Sequence, residues 1–202
     1  MVEKYTVHPS NSISGITNVP GDKSISHRAL ILLSISEGTG NVSGLLESED
    51  CLATLNIFKM LGVKIEKIDK NSYSIKGKGL YGLKETKKNL DCGNSGTSMR
   101  LLAGLLSAQK FSSNLVGDSS LNKRPMERIA IPLTRMGANI NLSDHKTAPI
   151  KINSAKKILP IEYEMPIDSA QIKSSIILAS LYADGETKII ENTPTRLSLI
   201  HI

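Results

Sequence analysis

The sequence predicts an α/β fold assembled from tandem copies of one supersecondary unit, on three observations. Three helix starts rich in serine or glycine, "KSISHRALILLSISEG", "GTSMRLLAGLLSAQ" and "AQIKSSIILASLYADG", open near Ser24, Thr97 and Ala170, two steps of 73 residues. A fixed period of this kind marks a copied unit. The segments behind the first two helices repeat one order of patterns, helix, strand, helix, strand, strand. Finally, 202 residues at 40% hydrophobic can bury a core, as one large domain or two small ones.

The first helix is followed by a strand in "GTGNVSGLLES". Next comes a helix in which Leu52, Leu55, Phe58 and Leu61 recur at three-residue steps, as a buried face requires. Gly62 in "MLGVKI" ends it with a residue suited to a left-handed cap, and a strand starts just beyond. "YSIKGKG" alternates as a half-exposed strand does. The second copy offers a strand in "FSSNLVGDSS", a helix that Pro125 begins, the matching joint "RMGANI" at Gly137, and a strand near "PIKINSA". Pro132 falls inside that helix and removes one of its hydrogen bonds, at a cost of about 3 kcal/mol unless the helix kinks. A kinked helix is expected, with a stop at Ile131 as the alternative.

Composition narrows the function. Lys and Arg number 25 against 19 Asp and Glu, a net charge of +6 that suits anionic partners. Aromatics at 3%, with no Trp, oppose a base-stacking nucleic-acid surface, so small anions are the expected partners. No stretch approaches the roughly 18 apolar residues of a membrane helix, and "MVEKYTVHPS" lacks the apolar run of a signal peptide, so a cytoplasmic protein is expected. Cys51 and Cys92 lie far apart without CxxC spacing, which suggests neither a zinc site nor a disulfide framework. Cys92 borders a glycine turn with no base beside it in sequence, so a thiolate nucleophile is disfavoured. His8 and His145 read as solvated, and His27 as hydrogen-bonding locally.

The helix starts carry the candidate chemistry, because a helix N-terminus presents free N–H groups and a positive dipole end to an anion. In "PGDKSISHR", Lys23 and Arg28 could flank one anion with the Ser24 hydroxyl as a third donor; equally, Asp22 or Ser24 could be a plain N-cap. The P-loop pattern fails, since Gly15 and Gly21 are separated by five residues and Asp22 precedes Lys23, and no Gly-x-Gly-x-x-Gly run follows a strand. "DCGNSGTSMR" supplies Gly93 and Gly96 for close backbone approach, with Asn94, Ser95 and Thr97 as donors or caps. "IDSAQIKSS" supplies Ser169, Gln171 and Lys173, and "GDSSLNKRPM" adds Lys123 and Arg124. Lys23, Gly96 and Ser169 recur at 73-residue steps, so copies packed around a pseudo-threefold axis would aim three helix starts at one cleft. That convergence favours the anion site over simple capping.

Taken together, "PGDKSISHRAL", "GNSGTSMRLLAG", "GDSSLNKRPM" and "DSAQIKSSIILASLYADG" resemble the 5-enolpyruvylshikimate 3-phosphate synthase family, from about Ser14 to Arg196. The resemblance implies an inside-out α/β barrel, the enolpyruvyl transferase fold, whose two domains each hold three βαβαββ units; about one domain is present. Residues 1–19 would belong to the other domain and be loosely held. Residues 20–196 would form the repeat domain, in units of about 20–90, 91–163 and a truncated 164–196. It implies transfer of the enolpyruvyl group of phosphoenolpyruvate to the 5-hydroxyl of shikimate 3-phosphate, with release of phosphate, by a monomer needing no metal or other cofactor. Carried over by motif, Lys23 contacts both substrates and is catalytic, while Ser24 and Arg28 face shikimate 3-phosphate. Asn94, Gly96 and Arg124 hold phosphoenolpyruvate, Ser169 the shikimate phosphate, and Gln171 both ligands.

Two departures qualify the resemblance. Family members run to twice this length or more, with their carboxylate acid and base in the remainder, so a chain of this length is expected to bind without turnover. Where the family continues with Asp-His-Thr-Glu, the chain ends "LSLIHI", which back-translates to a common sequencing-library adapter; residues 197–202 are therefore expected to be non-native. The rivals are the sister transferase acting on UDP-N-acetylglucosamine, which typically carries a loop cysteine where "SSLNKRPM" stands, and a noncatalytic anion-binding module.

Overall fold

The computed structural model describes residues 4–193. The first unit contains α1 (Lys23–Ile35), β1 (Thr39–Val42), α2 (Glu49–Met60), β2 (Lys64–Asp69) and β3 (Ser72–Lys76). The second contains β4 (Leu90–Asp91), α3 (Gly96–Leu106), β5 (Ser113–Val116), α4 (Glu127–Arg135), β6 (Asn139–Asn141) and β7 (Ile150–Asn153). The third shows β8 (Glu162–Glu164), α5 (Ala170–Ser180) and β9 (Lys188–Ile190).

Pairing reveals the copies more clearly than sequence does. The second unit forms a four-stranded sheet in the order β4-β5-β7-β6, with β4 parallel to β5 and the other pairs antiparallel. The antiparallel sheet β1-β3-β2 repeats its last three strands, and the parallel pair β8-β9 repeats its first two. Each sheet is thus a different portion of one βαβαββ plan.

The helices occupy the interior. Nine of the eleven residues of α3 are buried, as expected of a helix that is apolar almost all round, and it packs against α1, α2, α4 and α5 as well as β5 and β7. The strands bury alternate residues, for example Ile150 and Ile152 of β7, and so face the helices on one side and solvent on the other. This helices-inside, sheets-outside order agrees with the inside-out fold that the family resemblance implied. Gly104 permits the closest helix contact, since a Cβ there would lie 2.1 Å from the Ser175 carbonyl oxygen of α5.

Several local expectations hold. Gly62 and Gly137 adopt φ of +87° and +89° behind α2 and α4. Leu55, Phe58 and Leu61 are buried, with Leu52 half-buried. Ser48 caps α2, whose acidic Glu49 and Asp50 and terminal Lys59 complement the helix dipole. Others need correction. The inner helices begin at Lys23, Gly96 and Ala170, so the steps are 73 and then 74, and Ser24 is not a cap: Asp22 Oδ1 accepts the Ile25 N–H at 2.8 Å. Helix α4 starts at Glu127, two residues after Pro125; as expected it continues through the buried Pro132, to Arg135, and does not stop at Ile131. His27 does not hydrogen-bond locally: it is fully buried, and its Nδ1 meets Thr54 Oγ1 of α2. Cys51 and Cys92 are free and buried, and burial pushes the thiols up, away from thiolate reactivity.

Residues 4–19 form no helix or strand and are exposed throughout, including Val7, Ile13, Ile16 and Val19. Among the described residues no helix is long and apolar enough to cross a membrane. Arg196 and the expected non-native stretch 197–202 lie outside the described residues.

Candidate functional site

The start of α3 gathers the densest set of predicted residues. Asp91 accepts the Gly93 N–H at 2.8 Å, and Gly93 takes φ +55° to turn the chain into the helix that Ser95 caps. Asn94 is held from both sides: its Nδ2 donates to Asp118 Oδ2 at 2.7 Å, and its Oδ1 accepts from Arg124 Nη2 at 2.5 Å. The hydrogen bond from Asn94, with backbone N–H groups of Leu121 and Ser120, keeps the Asp118 carboxyl below the usual carboxylate range. Gly96 lets both guanidinium groups lie close over the helix start, because a Cβ would lie 2.7 Å from Arg100 Nη1 and 3.3 Å from Arg124 Nη1 and would displace them. Only Thr97 and Arg100 of α3 are not fully buried.

Those two residues bind the start of α5. Arg100 Nη1 donates to Gln171 Oε1 at 2.7 Å, while Gln171 Nε2 donates to Thr97 Oγ1 at 3.0 Å. Ser169 caps α5 through its hydroxyl. A cavity of about 220 Å³ opens here, lined by Arg100, Pro125, Arg128, Ser169, Gln171 and Ile172, with two cations and no carboxylate in its wall. Burial, and then the like charges of Arg124 and Arg128, lower the pKa of Arg100. The guanidinium groups strain against one another, and an anion seated among them would relieve that repulsion.

The α1 start contributes Lys23, Ser24 and Arg28. Lys23 Nζ pairs with Asp50 Oδ2 at 3.2 Å, in the first turn of α2. Arg28 Nη2 donates to Ser174 Oγ of α5 at 3.2 Å and Nη1 to the Ser24 carbonyl at 3.3 Å; burial lowers its pKa, opposed by Asp22. Ser24 is half-buried beside them. The structure therefore brings Asn94, Gly96, Arg124, Ser169 and Gln171 into one linked group, and ties Arg28 to α5. Lys23 joins that group through α2, by way of Asp50.

Thr97 was named from sequence as a donor or cap, whereas Arg100, Arg128, Asp118, Asp50 and Ser174 were not singled out. Arg100 was legible, one turn after Gly96 in a quoted motif, as was Arg128 one turn after Arg124. Asp50 and Asp118 were not, since only tertiary packing brings them to Lys23 and Asn94.

The family model of EPSP synthase (3-phosphoshikimate 1-carboxyvinyltransferase) matches residues 7–202. The chain belongs to the EPSP synthase family. It is similar to the 3-phosphoshikimate 1-carboxyvinyltransferase of Legionella pneumophila, 54% identical over 188 residues that cover 93% of this chain and 43% of the relative. A second relative of that name, from Hydrogenovibrio crunogenus, is 49% identical, over 96% of this chain and 43% of its own length. The solved EPSP synthase of Acinetobacter baumannii superposes with a TM-score of 0.87 at 52% identity, over 90% of this chain and 41% of that one. The chain thus spans under half the length of these EPSP synthase relatives. Their name is the first of the two enolpyruvyl transferase activities weighed from sequence.

Proposed function

We propose that this chain forms the substrate-orienting wall of a cleft in which the enolpyruvyl group of phosphoenolpyruvate is transferred to the 5-hydroxyl of shikimate 3-phosphate, with release of phosphate. The observation that carries this reading is the convergence of Arg100, Arg124 and Arg128 on the starts of α3 and α5, where Arg100 and Arg128 line a cavity with no carboxylate in its wall and Arg124 holds Asn94 beside it. Both substrates are multiply charged anions that repel each other. Fixed guanidinium groups and helix N-termini offset that repulsion and hold the reacting atoms together.

In this reading Asn94, Gly96 and Arg124 hold phosphoenolpyruvate, Ser24 and Arg28 face shikimate 3-phosphate, and Ser169 receives its phosphate. Gln171 and Lys23 contact both, Lys23 leaving Asp50 to do so and serving as the catalytic cation. The reaction is an addition followed by an elimination: a proton is added to C3 of phosphoenolpyruvate, the 5-hydroxyl attacks C2 and loses its proton, and the C2–O bond to phosphate then breaks as a proton leaves C3 and the C2–C3 double bond is restored. No oxidation state changes, so the chemistry calls for a general acid and base and for no redox cofactor. Binding and orientation are the work assigned to these residues. Asp50 and Asp118 are engaged by Lys23 and by Asn94, which leaves neither poised as the acid. The remaining parts of the reading are a division into residues 1–19 and a repeat domain from residue 20, and a cytoplasmic, monomeric full-length enzyme that engages neither nucleic acid nor membrane.

Titration of the isotope-labelled chain with shikimate 3-phosphate, followed by amide NMR, tests the reading. Saturable shifts at the starts of α1, α3 and α5 are expected, extended around Asn94 and Gly96 when phosphoenolpyruvate is added. Unmoved amides at all three helix starts would overturn it.

A further inference from the structure

Beneath the anion site runs a buried polar chain that contacts neither the cavity nor solvent. His27 Nδ1 lies 2.8 Å from Thr54 Oγ1, which lies 2.7 Å from Ser98 Oγ, and Ser98 Oγ is 2.8 Å from Ser95 Oγ and 3.3 Å from the Asp50 carbonyl oxygen. His27, Thr54 and Ser98 are fully buried, and Ser95 nearly so. Three helices are joined: His27 comes from α1, Thr54 and Asp50 from α2, and Ser95 and Ser98 from the start of α3.

The direction of the chain follows from hydrogen counting. Among the described residues, His27 Nε2 is buried without a partner. An orphaned buried N–H is rarer than an under-used acceptor, so the ring proton belongs on Nδ1. His27 then donates to Thr54, Thr54 to Ser98, and the single Ser98 proton is shared between Ser95 and the Asp50 carbonyl. Both recipients border proposed ligand contacts. Asp50 holds Lys23 through its carboxylate, and Ser95 stands between Asn94 and Gly96 while capping α3.

We propose that His27, Thr54 and Ser98 are positioning residues for the anion site, a directional relay that sets the Lys23 side of the cleft in register with the Asn94–Gly96 side. The inference rests on the functional reading above for the identity of the ligand, but not for the relay itself. Neutral apolar packing between the same helices would bury as much surface without specifying this register, because only directed hydrogen bonds fail when a helix slides or rotates.

The test compares the unaltered chain with Thr54→Val, which keeps the shape and removes the hydroxyl, and Thr54→Ser, which restores it. Affinity for shikimate 3-phosphate and for inorganic phosphate is measured by calorimetry, with urea midpoints alongside. Thr54→Val is expected to weaken binding about tenfold, and Thr54→Ser to bind within about twofold of the original. If Thr54→Val shifts the urea midpoint yet keeps full affinity, or if Thr54→Ser binds no better than Thr54→Val, the relay is structural only and the inference fails. An unaltered chain that binds phosphate but not shikimate 3-phosphate overturns the substrate reading alone, and the phosphate affinities of the variants then decide the relay. Binding of neither probe overturns both.

Discussion

His27 couples charge to stability because its imidazole is buried next to two cations. Burial lowers its pKa from 6.5 to about 4, with Asp50 raising it and Lys23 and Arg28 lowering it further. Above pH 6.5 the ring is neutral in both the folded and the unfolded chain. Between 6.5 and about 4 the unfolded chain takes up a proton that the folded ring refuses, so stability is lost as pH falls. At pH 5 the loss is about 2 kcal/mol, read as a drop in urea midpoint from pH 7, and His27→Gln is expected to flatten that drop. Gly96 makes a different prediction. A methyl group there meets the far ends of Arg100 and Arg124, which can swing aside, so Gly96→Ala should leave the melting temperature nearly unchanged. The displaced guanidiniums should weaken phosphoenolpyruvate binding about tenfold or more, with shikimate 3-phosphate less affected. Equal affinity for phosphoenolpyruvate would contradict the site geometry.

At the scale of elements, the α3–α5 contact fixes how the second and third units meet. Gly104 faces backbone rather than a flexible side chain, so the methyl of Gly104→Ala cannot be accommodated by a rotamer change and must push the helices apart. A loss of about 1–3 kcal/mol is expected in urea unfolding, together with weaker anion binding, because Arg100 and Gln171 bridge these two helices. Unchanged stability would mean that the helices shift freely. The helix patterns themselves were legible: Leu55, Phe58 and Leu61 stated the buried face of α2, and Gly62 and Gly137 its stop and that of α4. Boundaries were less so. Pro125 suggested a helix start that falls at Glu127, whereas the expectation that the helix runs on past Pro132 rather than stopping at Ile131 holds, since α4 reaches Arg135 with Pro132 buried.

For the whole molecule, the arrangement of helices within sheets predicts a gradient of local stability. Amides of α3, buried on nearly all sides, should exchange slowest, near the global unfolding limit. Those of residues 4–19, exposed and outside every sheet, should exchange almost as in a free peptide. Protection of that segment equal to α3 would refute the assignment of residues 1–19 to a separate unit. The sequence by itself determined the repeat, the α/β class, the three helix starts and the polar and cationic side chains they present, because period, capping residues and glycine turns are local properties of the chain. Only the tertiary structure decided which side chains meet: Lys23 with Asp50, Asn94 with Asp118 and Arg124, Arg100 with Gln171, and His27 with Thr54. These pairs lie 24 or more residues apart, where no local pattern signals contact, and only the packing of distant elements brings them within hydrogen-bond reach, as where Gly96 and Gly104 leave room for the Arg100 and Arg124 guanidiniums and for α5 to come close to α3.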